Sequence, residues 1–326
     1  MISEKKLDET LSALFSDIRF GGQPAGLYDP LRYMIAIGGK RIRPRLCLLS
    51  YALYRDAFQP EILDCAAALE VFHTFTLIHD DIMDRSPLRR GRETVWRKWS
   101  GVTAILSGDV MLIDAYERVA RAPEAVREAV MALFSRTAAQ VCEGQQYDME
   151  FETQPEVDAA SYDRMIGLKT AVLLACSAKI GALCAGASEA DCEALYRYGY
   201  SLGMAFQVAD DYLDAYGDEK VFGKPIGGDI LNGKKSWLTV HALALAPDKR
   251  RLQAALDAPA ATEAEKAAKI SAVTAMYDAL GVPGAALAEI RRHTDEALSS
   301  LSAMGLGPVR MEALRRFAFQ LVGRVK

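Results

Sequence analysis

Twice in this chain an apolar, helix-forming run ends in a pair of aspartates, with a third aspartate four positions after the first. The runs are Phe75-Thr76-Leu77-Ile78-His79-Asp80-Asp81, leading to Asp84, and Phe206-Gln207-Val208-Ala209-Asp210-Asp211, leading to Asp214. On a helix, positions i and i+4 share a face about 6 Å apart, whereas i+1 is turned by about 100°. Asp80 and Asp84 therefore point together, as do Asp210 and Asp214. Like charges at that spacing repel, and the negative end of the helix dipole worsens the repulsion. Ser86-Pro87 and Gly217 follow the two clusters, so both are expected at helix C-termini, where carboxylates are least welcome. Such an arrangement calls for cations, and magnesium fits. It takes one or two carboxylates and completes its octahedron with water and phosphate oxygens. Two such helices facing each other would set both clusters around one cavity.

Helical periodicity dominates elsewhere. Ala66 to Phe72, Val110 to Ala120, Val126 to Val141, Ala171 to Cys184 and Leu195 to Val208 are apolar-rich with few β-branched alternations. No clean period-two run and no hairpin signal between alternating hydrophobics stands out. Breaks fall at Gly21-Gly22-Gln23-Pro24, Gly38-Gly39, Ser86-Pro87, Ala122-Pro123, Gln154-Pro155, Gly217 to Gly233, Ala258-Pro259, Val282-Pro283 and Gly307-Pro308. They divide the chain into helices of roughly 12 to 25 residues, longer than the globular mean of about 11–12. No low-complexity linker intervenes, so residues 1–326 are expected to form one large all-α domain. The stretch after about Leu245 is Ala-rich and motif-poor and reads as scaffold.

The 326 residues are half hydrophobic and a quarter charged, enough for a large core. A net charge of −4 argues against a nucleic-acid partner. Cys47, Cys65, Cys142, Cys176, Cys184 and Cys192 are scattered among apolar neighbours without a C-x-x-C pair, and read as small buried hydrophobes in a reducing compartment. Met1 to Arg19 lacks an apolar signal core, and no run of about 18 uninterrupted apolar residues appears. A cytoplasmic enzyme without a membrane span is the expectation.

Basic residues supply the counterpart to the aspartates. Gly38-Gly39-Lys40-Arg41-Ile42-Arg43-Pro44 sets three cations beside a glycine pair, where backbone can approach a ligand and a forked guanidinium suits a diphosphate. Arg89-Arg90-Gly91 follows the first acidic cluster in the same loop. Lys169-Thr170 interrupts an apolar helix, so the lysine must snorkel or meet an anion. Lys224 and Lys234 flank the Gly-rich loop after the second cluster.

With these motifs in order, the sequence resembles the trans-isoprenyl diphosphate synthases, the polyprenyl synthetase family. The resemblance runs from about Tyr33 to Leu238 through G-G-K-x-x-R-P, H-D-D-x-x-D-x-x-x-x-R-R-G, K-T, F-Q-x-x-D-D-x-x-D and G-K-P-x-G-x-D followed by a lysine. It implies the all-α isoprenoid synthase bundle around a central cavity, usually a homodimer, and a short-chain prenyltransferase acting on isopentenyl diphosphate and an allylic diphosphate. It implies three magnesium ions with the allylic diphosphate bound: Asp80 and Asp84, with Asp81 beside them, for two, and Asp210, supported by Asp211 and Asp214, for the third. Lys169, Lys224 and Arg89 would grip the allylic diphosphate, and Lys234 would help it leave. Lys40, Arg43, His73 and Arg90 would hold isopentenyl diphosphate, and Thr170 and Gln207 would line the reacting centre. No nucleophile is needed, and no G-x-S-x-G elbow or reactive-cysteine setting is present.

The growing tail should run along the helix that ends in Asp80. Phe75 lies five positions before Asp80, Thr76 four, and Phe72 a turn deeper. In the resembling family an aromatic at Phe75 with a small neighbour looks like short-chain synthases that stop at geranylgeranyl diphosphate, with farnesyl second. Three other classes fit the motifs less well. A class I terpene cyclase would share the first motif but has no use for Lys40, Arg43 and Arg90. A His-Asp phosphohydrolase would need more histidines than His73, His79, His241 and His293. A regulatory subunit would have eroded aspartates.

Overall fold

The helices that the apolar periodicity predicts are fixed at their starts by side-chain caps. Ser3, Ser100, Asp158, Ser236, Asp248 and Thr262 each accept a backbone N–H in the first turn of the helix that follows, and Thr262 forms a reciprocal capping box with Glu265. Pro60 opens the Pro60–Met83 helix at a position whose N–H would be unpaired in any case. A computed structural model describes residues 2–218 and 226–323, and among them the fold is all-α apart from one small hairpin. The longest helices are Arg127–Thr153 and Glu189–Tyr216, at 27 and 28 residues, just beyond the expected range. Pro283 does not break the chain as expected: it lies in the first turn of Val282–Ser302, where proline is tolerated, and the break falls at Gly281.

Two compact units, interleaved in sequence, make up the chain. The first comprises Met1–Arg136, Cys176–Leu195 and Gly307–Ala313. In it the Pro60–Met83 helix packs along Gly101–Val119 and against Ile42–Ala52, burying Leu46, Leu69, Phe72, Ile78, Met111 and Phe134. The second comprises Thr137–Ala175, Tyr196–Leu306 and Leu314–Lys326. Its Trp237–Leu245 helix packs on Ala159–Ile166 and Val282–Ser302, around Tyr162, Tyr198, Trp237 and Tyr277.

Averaged over 18 residues rather than counted in unbroken runs, two helices among the described residues are long and apolar enough to cross a membrane: Pro60–Met83 and Ala159–Ala185. Buried positions inside the protein account for 67% and 72% of those windows, so their apolar character already has a protein partner. The cysteine reading holds for Cys47, Cys65, Cys176 and Cys192, which are buried, and is corrected at Cys142. That thiol is exposed because it shares the outer face of Arg127–Thr153 with Ala139, Glu143 and Gln146.

Candidate active site

Asp80 occupies the last turn of the Pro60–Met83 helix and Asp84 is its C-cap, so the first carboxylate cluster does stand at a negative helix end. Asp80 is partly buried and Asp84 exposed. Asp81 turns the other way. It is 1% exposed and accepts from Arg89 Nε at 2.8 and 2.9 Å, with a second guanidinium nitrogen at 2.7 Å. Burial pushes the Asp81 carboxyl up and Arg89 draws it back. The loop after the cluster is a hairpin that the sequence did not announce. Leu88–Arg89 pairs with Arg92–Glu93, and Arg90 and Gly91 make the turn with φ of 52° and 74°. Two donors, Thr94 Oγ1 and Trp96 Nε1, each 2.8 Å from the Ser86 carbonyl, fasten it beneath the cluster.

Beside the hairpin the glycine-rich turn divides its cations between two jobs. Arg41, at φ 49°, donates to buried Glu70 at 2.9 Å and to the Ile35 carbonyl at 3.0 Å, and lies over the Phe15 ring. It is structural. Arg43 has no such partner: its Nε is buried and makes no hydrogen bond among the described residues. Burial brings this guanidinium down to about 10, against the pull of Glu70 and with the push of Arg90. His73, partly buried on the same helix as Asp80, is held well below its ordinary value by burial and by the charges of Arg43, Arg90, Arg89 and Arg41. Positive charge without enough anion thus converges on one face of the first unit. Lys40 is exposed at its edge.

In the second unit Asp210 and Asp214 lie in the last two turns of Glu189–Tyr216, both partly buried. Asp214 Oδ2 accepts the Asp229 N–H at 2.9 Å, tying the helix end to the short Gly228–Leu231 helix. Asp211 points inward, where one oxygen accepts Gln207 Nε2 at 3.0 Å and the other accepts the Trp237 N–H at 2.7 Å and the Tyr162 hydroxyl. Burial and the charge of Asp229 push this carboxyl up to about 7 in spite of those donors. The Gln207 amide oxygen accepts the Thr170 hydroxyl at 2.9 Å, so Thr170, Gln207 and Asp211 form one chain.

Lys169 and Thr170 sit in a π-helical segment, Gly167–Ala171, between the Ala159–Ile166 and Val172–Ala185 helices. Lys169 Nζ is 2.6 Å from Asp148 Oδ2. Although burial alone would push Asp148 up, Lys169 and then Lys234 hold its carboxyl below the usual range. Gly144, one turn before Asp148, permits this approach, because a Cβ there would strike the backbone of Lys169 and Leu168.

The sequence profile described as Polyprenyl synthetase matches residues 24–274. The chain belongs to the polyprenyl synthetase family. A short chain isoprenyl diphosphate synthase of Methanocaldococcus jannaschii is 43% identical over 228 residues, 69% of each chain. A geranylgeranyl diphosphate synthase of Methanosarcina mazei is 42% identical over 223 residues, 68% of each chain. Among solved structures, a geranylgeranyl pyrophosphate synthase superposes with a TM-score of 0.93 at 41% identity, covering 99% of both chains.

As a polyprenyl synthetase the chain is a prenyltransferase, and the cation and carboxylate motifs read from its sequence lie among the described residues, with one exception. Lys224 lies outside the described residues. Lys234 is exposed, and its N–H donates to the Asp229 carbonyl at 2.8 Å. Phe75 and Phe72 are buried with ring centroids 5.5 Å apart, and Phe72 meets Phe134 at 5.3 Å. Thr76 turns its hydroxyl back to the His73 carbonyl at 2.8 Å. Sequence reasoning missed Asp148, which pairs with Lys169, and Tyr162 and Trp237, which hold Asp211.

The donor chemistry suits magnesium. The Asp80–Asp84 face and the Asp210–Asp214 face offer hard oxygens at helix ends. Among the described residues no three carboxylate, imidazole or thiolate groups converge into a protein-only cage. Such open sites match an ion that takes only one or two carboxylates and completes its shell with water and phosphate.

Proposed function

We propose that this prenyltransferase condenses isopentenyl diphosphate with an allylic diphosphate (dimethylallyl, geranyl or farnesyl) by ionisation, condensation and elimination, with geranylgeranyl diphosphate as its main product. The observation that carries the reading is the buried Nε of Arg43, without a hydrogen bond, in a cluster with Arg90, Arg89 and His73. An enzyme that only ionised one diphosphate would not need a second anion seat. Arg43, Arg90, Lys40 and neutral His73 bind the diphosphate of isopentenyl diphosphate; a fork of N–H donors matches its oxygens.

Asp80 and Asp84 would hold two magnesium ions and Asp210 would lead the ligation of a third, with Asp211 and Asp214 supporting that cluster. When bound, the ions neutralise charge on the departing diphosphate. Lys169, Lys234 and Arg89 would add donors to the allylic diphosphate, as would Lys224, which lies outside the described residues; positive charge at the leaving group stabilises the separating charges. Thr170 and Gln207 turn oxygen lone pairs toward the allylic cation, and the apolar faces around Phe72 and Phe75 exclude water. No uncommitted His or Glu stands ready as base, so the released diphosphate takes the proton lost from the coupled product.

Phe75 is the floor of the tail pocket, with Phe72 beneath it and Thr76 leaving room beside it. The active form is a homodimer. Val102, Ile105, Leu106 and Ile113 expose 47–70% of their surface on one face of Gly101–Val119, a stripe that a second copy would cover.

The test is direct: the purified protein is given isopentenyl diphosphate, magnesium and each allylic primer in turn, and the products are sized. Chain-extended diphosphates are expected, with C20 dominant. No condensation with any primer refutes the reading, and a cyclised hydrocarbon converts the enzyme to a cyclase. Phe75→Ala is expected to lengthen the products, and an unchanged profile removes Phe75 from the floor.

A further inference from the structure

Where two helices pack, a side chain between them normally lies flat or points away, because both backbones carry Cβ atoms. His79 does neither. Its imidazole enters the Gly101–Val119 helix at Gly108, where a Cβ would overlap Nε2 and Cδ2 of the ring. Nε2 lies 3.1 Å from the Ile105 carbonyl, three residues before the notch, and 4.0 Å from Asp109. The ring is thus held on one side by a hydrogen bond and by the absence of a methyl group.

Its other side meets Phe75. The two rings are edge to face, with centroids 4.8 Å apart at 70°. This arrangement is favoured by the ring quadrupole and fixes orientation as well as distance. Phe75 is 7% exposed, and its next aromatic neighbour, Phe72, is wedged in turn against Phe134. The wall therefore has rings on one flank and His79 on the other. Close-packed interiors transmit a displacement of this kind rather than absorb it.

We propose that His79 and Gly108 are positioning residues that set where Phe75 stands, and through it the length of prenyl chain the enzyme releases. The proposal rests on the reading of Phe75 as pocket floor. His79 acts here by shape and by its hydrogen bond to Ile105, touching no substrate, and Gly108 acts by leaving room for it.

Opposite changes at the two positions should move the product in opposite directions. His79→Ala removes the brace and lets Phe75 swing into the vacated notch, so the main product gains one isoprene unit. Gly108→Ala drives the imidazole onto Phe75 and shortens the product by one unit. In the double variant the new methyl meets no imidazole and fills only part of the notch, so the shortening by Gly108→Ala disappears and the product is no shorter than wild type. The KM for isopentenyl diphosphate stays at its wild-type value throughout, which a general loss of fold would not allow.

The full-length enzyme with isopentenyl diphosphate, geranyl diphosphate and magnesium, its products sized by chromatography, gives the answer. Phe75→Ala runs alongside as the control. If Phe75→Ala lengthens the product while His79→Ala leaves the profile untouched, the proposal is overturned and the floor assignment stands. If Phe75→Ala itself changes nothing, the floor assignment fails and takes the proposal with it. Should Gly108→Ala not fold, His79→Ala alone decides.

Discussion

The ammonium of Lys169 is 2.6 Å from the carboxylate of Asp148, and both groups are largely enclosed, with 25% and 15% of their side-chain surface exposed. A lysine in an apolar helix must find an anion, and this one has it before any substrate arrives. Asp148 thus aims the ammonium, and a diphosphate must compete with it for the charge. Removing one partner from a mostly buried pair leaves the other unpaired. Asp148→Asn is expected to cost about 2 kcal/mol of stability, discounted from the fully buried case, and to raise the KM for the allylic substrate more than that for isopentenyl diphosphate. Thermal denaturation and separate substrate titrations read the two effects.

Asp80→Asn, Asp84→Asn and Asp210→Asn should each lower kcat by roughly a thousandfold, about 4 kcal/mol of transition-state stabilisation, while leaving the fold intact. The magnesium concentration for half-maximal rate should rise in the same variants, and chelator should abolish wild-type turnover. A magnesium titration of each variant against circular dichroism spectra checks both statements.

Glu70 is 3% exposed and paired with Arg41 at 2.9 Å. Glu70→Ala leaves the Arg41 guanidinium buried without its counter-charge, and about 3–5 kcal/mol of stability should be lost. Arg43→Ala, by contrast, removes a cation that has no such partner. It should leave the melting temperature near wild type and raise the KM for isopentenyl diphosphate at least tenfold. The contrast between the two variants separates the structural cation of the glycine-rich turn from the binding one.

His73 carries a sign for pH. Its folded-state value is held well below 6.5, first by burial and then by four arginines. Between that depressed value and about 6.5 the unfolded chain binds a proton that the folded one refuses, so stability falls as pH drops through this window, by at most about 1.4 kcal/mol per unit. Above about pH 7 the contribution is flat. His73→Asn should flatten the slope of melting temperature against pH below 6.5. A bound diphosphate, bringing negative charge to the same arginines, should raise the His73 value and make binding take up protons, which calorimetry in two buffers would register.

The exposed stripe at Val102, Ile105, Leu106 and Ile113 predicts self-association. Ile113→Asp should convert a dimer to monomer in analytical ultracentrifugation, and a wild-type monomer at micromolar concentration would remove the dimer from the proposal.

The aspartate faces were legible because helical periodicity is local: Asp80 and Asp84 share a side wherever the helix goes, and Ser86-Pro87 marks its end. Charge and spacing in the glycine-rich turn did not distinguish Arg41 from Arg43; only the family motif singled out Arg43. Only the fold brings Glu70, 29 residues on, into hydrogen-bond contact with Arg41. Asp148 was hidden for a different reason. It stands in an acidic stretch of Arg127–Thr153 that reads as a solvated face, and the one local hint is Gly144, the smooth point that lies against Lys169. Tyr162 and Trp237 reach Asp211 from 49 and 26 residues away, beyond any pattern of spacing. The Leu88–Glu93 hairpin has two-residue strands, too short to show alternation.

The π-helical segment Gly167–Ala171 has a consequence for what this helix can be replaced by. Such a segment is one residue more than a regular turn needs, so it changes the phase of everything after it by about 100°. Before it, Tyr162 is set toward Asp211; after it, Leu174 and Ala175 meet Gly199. A uniform helix could keep one of those alignments but not both. Deleting a single residue here would give a more regular helix with a turned Lys169. In this chain, local irregularity is what keeps one continuous rod in step with Glu189–Tyr216 at both places where they meet.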